Sequence, residues 1–185
     1  MDATTTARVA LQCLDLTSLN DNDDATVIEA LCQRAKSRYG HVAAVCVWPQ
    51  WVALARSKLD ASIAVAAVAN FPHGSTDVER AVADAKSIVQ AGGQEVDVVL
   101  PYHALIIGKE LVCARLVRAV REACAGLRLK VILETGELRD PTLIDQAAQI
   151  AIDNGADFIK TSTGKTPVSA TLQAAEVMLQ VITRQ

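Results

Sequence analysis

The stretch Gly155-Ala-Asp-Phe-Ile-Lys-Thr-Ser-Thr-Gly-Lys165 puts a lysine where a short apolar run meets a hydroxyl-rich, glycine-containing loop. Asn154-Gly155 reads as a helix stop and Asp157-Phe-Ile159 as a strand, so Lys160 falls at the strand's carboxyl end. Parallel α/β folds collect their chemistry at that end. A lysine there can attack a carbonyl and form a Schiff base, provided that nearby cations or desolvation leave part of it neutral. Two more charges interrupt apolar runs: Asp97 in Glu95-Val-Asp-Val-Val-Leu100, and Lys130 in Leu129-Lys-Val-Ile-Leu-Glu134. By the period of two, Asp97 shares a face with Val99, and Lys130 shares one with Ile132 and Glu134. A charge in such a run is costly unless it is paired or used. One reading is an internal ion pair between Asp97 and Lys130. The other takes Asp97, Lys130 and Lys160 together, on three successive strands. Two lysines and one carboxylate sharing an interior would depress a lysine pKa and supply a proton carrier, as carbonyl-amine chemistry requires.

The elements that must position these groups alternate along the chain. Strands are expected at Leu11 to Leu16, Val42 to Val47, Ile63 to Ala69, Glu95 to Leu100, Leu129 to Glu134 and Asp157 to Thr161, with helices between them. In the third helix Val78, Ala81, Val82, Ala85, Ile88 and Val89 recur at helical spacing, and Thr76 with Glu79 reads as its capping box. The fifth opens on Asp140-Pro141, an N-cap before a first-turn proline, and turns Leu143, Ile144, Ala147, Ala148 and Ala151 inward. The sixth carries Leu172, Ala175, Leu179 and Ile182 on one stripe. Six β-α units spaced by about 30 residues call for a parallel sheet with right-handed crossovers. A doubly wound sheet and a (β/α)8 barrel both satisfy that pattern. The polar interruptions Asp15, Asp97, Lys130 and Lys160 favour strands converging on a lumen, and no G-x-G-x-x-G follows the first strand. The expectation is one domain over residues 1–185, a barrel with six of its eight units.

Composition narrows the function classes. The chain has 185 residues, 51% of them hydrophobic, enough for a real core. A net charge of −3 and only 3% aromatic residues give neither an electrostatic footprint nor a stacking platform for nucleic acid. The cysteines Cys13, Cys32, Cys46, Cys113 and Cys124 are odd in number and form no C-x-x-C pair, which signals neither a disulfide framework nor a thiolate metal site. No window approaches the roughly 18 apolar residues of a membrane span, and the amino terminus has no leader pattern. A soluble cytoplasmic protein is expected. Gly164-Lys165-Thr166 resembles the tail of a phosphate loop, but Ile159 stands where the first glycine would be. Lys165 and the hydroxyls of Thr161, Ser162 and Thr163 could still meet a small anion, or form a solvated loop. Cys46 lies near the mouth of the second strand, where a free cysteine can act as a small hydrophobe or take a role in a site. His41, His73 and His103 lack metal-ligand spacing; Asn70 to Gly74 reads as a turn and Asn20 to Asp24 as a solvated helix entrance.

Taken together, six stretches resemble one family. They are Leu14-Asp-Leu-Thr-Ser-Leu-Asn20, Ala44-Val-Cys-Val-Trp-Pro49, Ala69-Asn-Phe-Pro-His-Gly74, Glu95-Val-Asp-Val-Val-Leu-Pro-Tyr102, Lys130-Val-Ile-Leu-Glu-Thr-Gly-Glu-Leu138 and Gly155 to Lys165. The family is 2-deoxyribose-5-phosphate aldolase, a class I aldolase. The resemblance implies a (β/α)8 barrel and reversible cleavage of 2-deoxy-D-ribose 5-phosphate to D-glyceraldehyde 3-phosphate and acetaldehyde, with no metal and no organic cofactor. It implies that Lys160 forms the Schiff base and that Asp97 carries protons through water, with Lys130, Asp15, Cys46, Thr161 and Lys165 lining the pocket. Its partners would be sugar phosphates and aldehydes, with no nucleic acid and no membrane, in a homo-oligomer of which a dimer is the simplest. The sequence departs from the family in stopping at Gln185, before a Gly-Phe-Lys-Pro-Ala-Gly-Gly type motif and the eighth unit. The alternative is therefore a catalytically impaired barrel fragment whose exposed strand edges drive assembly.

Overall fold

The elements follow from where apolar residues are spaced for burial and where capping groups stop or start them. A computed structural model describes residues 2–185. In chain order it has α1 (Ala3–Gln12), β1 (Asp15–Thr17), α2 (Ala25–Arg34), β2 (Ala44–Val47), α3 (Val52–Lys58), β3 (Ala64–Ala69), α4 (Val78–Gln90), β4 (Glu95–Val99), α5 (Tyr102–Ile106), α6 (Glu110–Ala123), β5 (Arg128–Ile132), α7 (Thr135–Leu138), α8 (Pro141–Asp153), β6 (Phe158–Lys160) and α9 (Leu172–Thr183). A two-residue antiparallel ladder, Lys36–Ser37 with Gly40–His41, precedes β2. The chain divides into two units: residues up to Val68 with Ser87–Glu95, and Ala69–Lys86 with Val96–Gln185.

In the first unit β1, β2 and β3 pair in parallel, with Asp15 opposite Ala44, Thr17 opposite Cys46, and Cys46 opposite Ala66. Every residue of β2 is buried, which is why it reads as an unbroken run of small apolar side chains. Helix α2 starts at Asp24, whose carboxylate accepts from the Val27 amide at 2.9 Å. It buries Ile28, Leu31 and Cys32. Arg56 fixes the turn into β3, donating to the carbonyls of Leu59 and Ile63 at 2.8 Å and of Asp60 at 2.7 Å.

In the second unit β5 and β6 pair in parallel, with Lys130 opposite Phe158 and Ile132 opposite Lys160. Strand β4 adjoins β5, and the Leu100 amide donates to the Ile132 carbonyl at 2.9 Å. Helix α6 buries Cys113, Leu116, Val117 and Val120, and α8 buries Ile144, Ala147, Ala148 and Ala151. The expected cap of α8 is present: the Asp140 carboxylate accepts from the Thr142 amide at 2.8 Å, with Pro141 in the first turn. At its other end Gly155 takes φ 93, a left-handed conformation that suits glycine. The entry to the next strand is fixed by Asp157, whose carboxylate accepts from the Leu129 amide at 2.7 Å and from Arg121 at 2.9 Å.

Several elements differ from the sequence reading. Leu11 and Gln12 close α1 instead of opening a strand, because Asp2 caps a helix there through the Thr5 amide. Strand β5 stops at Ile132 because Glu134 turns left-handed, at φ 58, and starts α7. The cap of α4 is Asp77, which accepts from the Arg80 amide at 3.0 Å, and not the Thr76 and Glu79 box. In α9 the stripe of Leu172, Leu179 and Ile182 is exposed, while Ala174, Met178 and Val181 are buried. That helix has apolar residues on two faces, and α8 takes only one of them. Among the described residues no helix is long and apolar enough to cross a membrane. Met178→Ala is expected to lower stability by about 2–4 kcal/mol, with Leu179→Ala within about 0.5 kcal/mol of the parent. Urea denaturation of both variants checks which face is core.

Candidate active site

Strand β4 is buried along its whole length, and its central residue is a carboxylate. Asp97 has no exposed surface, and an isolated ionised carboxylate in such a place would be untenable. Both of its oxygens meet an amine. The Lys130 Nζ lies 3.2 Å from Oδ1 and the Lys160 Nζ 2.5 Å from Oδ2. The ion pair expected between Asp97 and Lys130 therefore exists, but the same carboxylate also holds Lys160. The two lysines differ in access. The Lys130 side chain is 8% exposed and that of Lys160 30%. Lys160 is the amine that a molecule arriving from solvent can reach.

The register explains how the groups converge. Ile132 is opposite Lys160, so Lys130 enters one pleat earlier on the neighbouring strand. With two ammonium groups on one carboxylate the trio carries a net positive charge, and loss of one proton makes it neutral. Asp97 touches both amines, so a proton can pass between them through one carboxylate. The arrangement can present a neutral amine to a carbonyl and keep an acid beside it.

Thr161 and Lys165, both expected at the site, belong to the loop after β6. The Thr161 carbonyl accepts from the Thr135 amide at 2.9 Å, and the Lys165 amide donates to the Thr163 hydroxyl at 3.0 Å. The Ser162 hydroxyl is buried without a hydrogen-bond partner. Sequence reasoning missed the residue that grips this loop. Glu134 is fully buried and accepts from the hydroxyls of Thr163 and Thr166. Its place beside Lys130 and Ile132 in the strand alternation was a usable signal, but its left-handed turn was not readable. Gly136 is needed for a related reason: a Cβ there would come within 2.0 Å of the Val168 carbonyl oxygen.

The other expected residues have simpler positions. Asp15 lies on β1 and Cys46 on the adjacent β2, both in the first unit, with Cys46 buried. Asn70 to Gly74 is a turn, as expected: the Asn70 side chain accepts from the Ser75 amide at 3.1 Å and donates to the Val99 carbonyl at 3.0 Å. Tyr102, which the sequence did not single out, is 5% exposed, and its hydroxyl is pushed up from the ordinary tyrosine value by burial first, then by Glu134 and Glu137. Among the described residues no group of three or more His, Cys, Asp or Glu side chains is placed to hold a metal ion.

Strands that each lead to a helix, with Lys160 at the carboxyl end of the last, define the class of (β/α)8-barrel enzymes, here with six strand-helix units. The model of the DeoC/LacD aldolase family matches residues 9–185, and the chain belongs to that family. It is thus an aldolase by family, a carbon-carbon lyase. Solved structures agree in fold. One from Coccidioides immitis, provisionally named a deoxyribose-phosphate aldolase, is 32% identical, with a TM-score of 0.91 over 96% of this chain and 70% of that one. One from Toxoplasma gondii ME49 with the same provisional name is 25% identical, with a TM-score of 0.91 over 98% of this chain and 69% of that one. An aldolase called QR15 is 29% identical, with a TM-score of 0.87 over 94% of this chain and 76% of that one.

Removing the central carboxylate tests the cluster's electrostatics. Asp97→Asn is expected to cost about 3–5 kcal/mol of stability near neutral pH, since it leaves the buried Lys130 amine without its carboxylate and removes the partner of the part-exposed Lys160. Urea midpoints of parent and variant at neutral pH check this, and a variant as stable as the parent would refute it.

Proposed function

We propose that the chain reversibly cleaves 2-deoxy-D-ribose 5-phosphate to D-glyceraldehyde 3-phosphate and acetaldehyde through a Schiff base on Lys160. The observation that carries this reading is the Asp97 carboxylate shared by Lys160 and Lys130, with Lys160 the more exposed amine. The choice of substrate is supported by the deoxyribose-phosphate aldolase names of the Coccidioides and Toxoplasma structures.

In this mechanism the neutral Lys160 amine adds to the C1 aldehyde of the open-chain sugar, and the carbinolamine loses water to give an iminium. Asp97 takes and returns the protons, directly or through one water. As the C3 hydroxyl loses its proton, the C2–C3 bond breaks and its electron pair flows into the iminium. That releases glyceraldehyde 3-phosphate and leaves an enamine on Lys160. Protonation at C2 and addition of water then free acetaldehyde and restore the amine. Lys130 keeps a cation on the far oxygen of Asp97 and disfavours a second ammonium at Lys160. Thr161 and Lys165 would meet the substrate's polar end. The five cysteines are all free, in keeping with a reducing cytoplasmic setting for such an enzyme.

The direct test is turnover of 2-deoxyribose 5-phosphate beside ketose phosphates. Preference for the deoxy aldose is expected, with Lys160→Ala reduced to background and Asp97→Asn slower by about 10²–10⁴-fold. Equal or better use of ketose phosphates would overturn the substrate assignment. Lys130→Met is expected to slow borohydride-trapped imine formation near neutral pH and to recover at higher pH, because Lys160 then loses its proton without help. A deficit that persists at high pH would contradict the electrostatic role of Lys130.

A further inference from the structure

The loop that follows Lys160 is held from outside itself. Glu134 has no exposed surface and sits at φ 58 and ψ 57, a conformation that long side chains rarely adopt. Its carboxylate is directed at one segment of chain. One oxygen accepts from the Thr163 hydroxyl at 2.5 Å and the other from the Thr166 hydroxyl at 3.2 Å, and both lie 3.3 Å from the Thr163 amide nitrogen. The Thr163 hydroxyl in turn accepts from the Lys165 amide at 3.0 Å. Residues on either side of Glu134 hold the strand end instead: the Leu133 amide donates to the Lys160 carbonyl and the Thr135 amide to the Thr161 carbonyl, each at 2.9 Å.

These contacts separate two tasks. The Lys160 amine is fixed by the β5 to β6 ladder and by Asp97, whereas the Thr163 amide and the Thr163 and Thr166 hydroxyls converge on the Glu134 carboxylate. A carboxylate is the fitting group, because the Thr163 amide and hydroxyl both point at it as donors and the Thr166 hydroxyl reaches it at 3.2 Å, the same distance as to the Val168 carbonyl. An amide would turn an N–H₂ toward one of these donors.

We infer that Glu134 is a positioning residue, whose buried carboxylate sets the Thr161 to Thr166 loop and through it the substrate-facing groups of that loop, without taking part in the chemistry at Lys160. Its effect on turnover rests on the aldolase reading above; its effect on the loop does not.

The test is hydrogen exchange, read by mass spectrometry, on the parent, Glu134→Gln, Thr163→Val and the double variant. It is run beside urea midpoints and imine trapping with acetaldehyde, which is too small to need the groups of the 161–166 loop. Exchange across 161–166 is expected to quicken by about tenfold or more in each single variant and no further in the double, with β4, β5 and α8 unchanged. In Glu134→Gln the trapping rate should stay within about twofold of the parent, while KM for a phosphorylated substrate rises by about tenfold and kcat falls much less. Unchanged loop exchange, additive effects in the double variant, or exchange raised throughout the second unit would each overturn the inference. Should the parent itself trap no imine, the aldolase reading fails, and loop exchange still decides the role of Glu134.

Discussion

A carboxylate with no access to water has to be answered by its neighbours, and Asp97 is answered twice. Two amines from the two following strands meet its two oxygens, so β4, β5 and β6 must keep their register for the charge to be tolerable at all. A slip of one residue would turn Lys130 to the opposite face and leave Asp97 short of a partner. The fully buried strand β4, the ladder that sets Ile132 against Lys160, and the Asp157 contact that fixes the start of β5 all serve this constraint. Breaking a buried pair of this kind costs more than most single core substitutions.

The same constraint gathers three ionisable groups, and the most accessible of them is an amine at the end of a strand. The chain belongs to the DeoC/LacD aldolases, and in the proposed function that amine forms the Schiff base. The division of labour around it is physical. Strand pairing and Asp97 govern where Lys160 points, while a separate buried carboxylate, Glu134, governs the loop that follows. In the proposed function the first arrangement bears on bond making and breaking, and the second on what the site can hold.

Much of this was legible in the sequence because charged residues inside apolar runs are rare and period-two alternation assigns their faces. Asp97, Lys130 and Lys160 could be placed on adjacent strands that way, and the Asp140-Pro141 start of α8 was readable from local chemistry alone. Tertiary choices were not readable. Leu11 fits a strand run or a helix, and in the structure it closes a helix capped by Asp2 nine residues earlier. Helix α9 offers two apolar stripes, and sequence cannot say that α8 takes Met178 and not Leu179. Glu134 looked like the end of a strand; its left-handed backbone and the donors that converge on it come from a loop about 30 residues further along, a distance over which local patterning is silent.

The central claim is that the shared carboxylate makes Lys160 unlike the six other lysines of the chain. Peptide mapping of the intact protein after brief exposure to acetaldehyde and cyanoborohydride at neutral pH measures this directly. The expected result is an ethyl adduct concentrated on Lys160, although its side chain is only 30% exposed and that of Lys36 is 66% exposed. Adducts spread over the lysines in order of exposure, with Lys160 no faster than Lys36, would show that the cluster is an ion pair and nothing more.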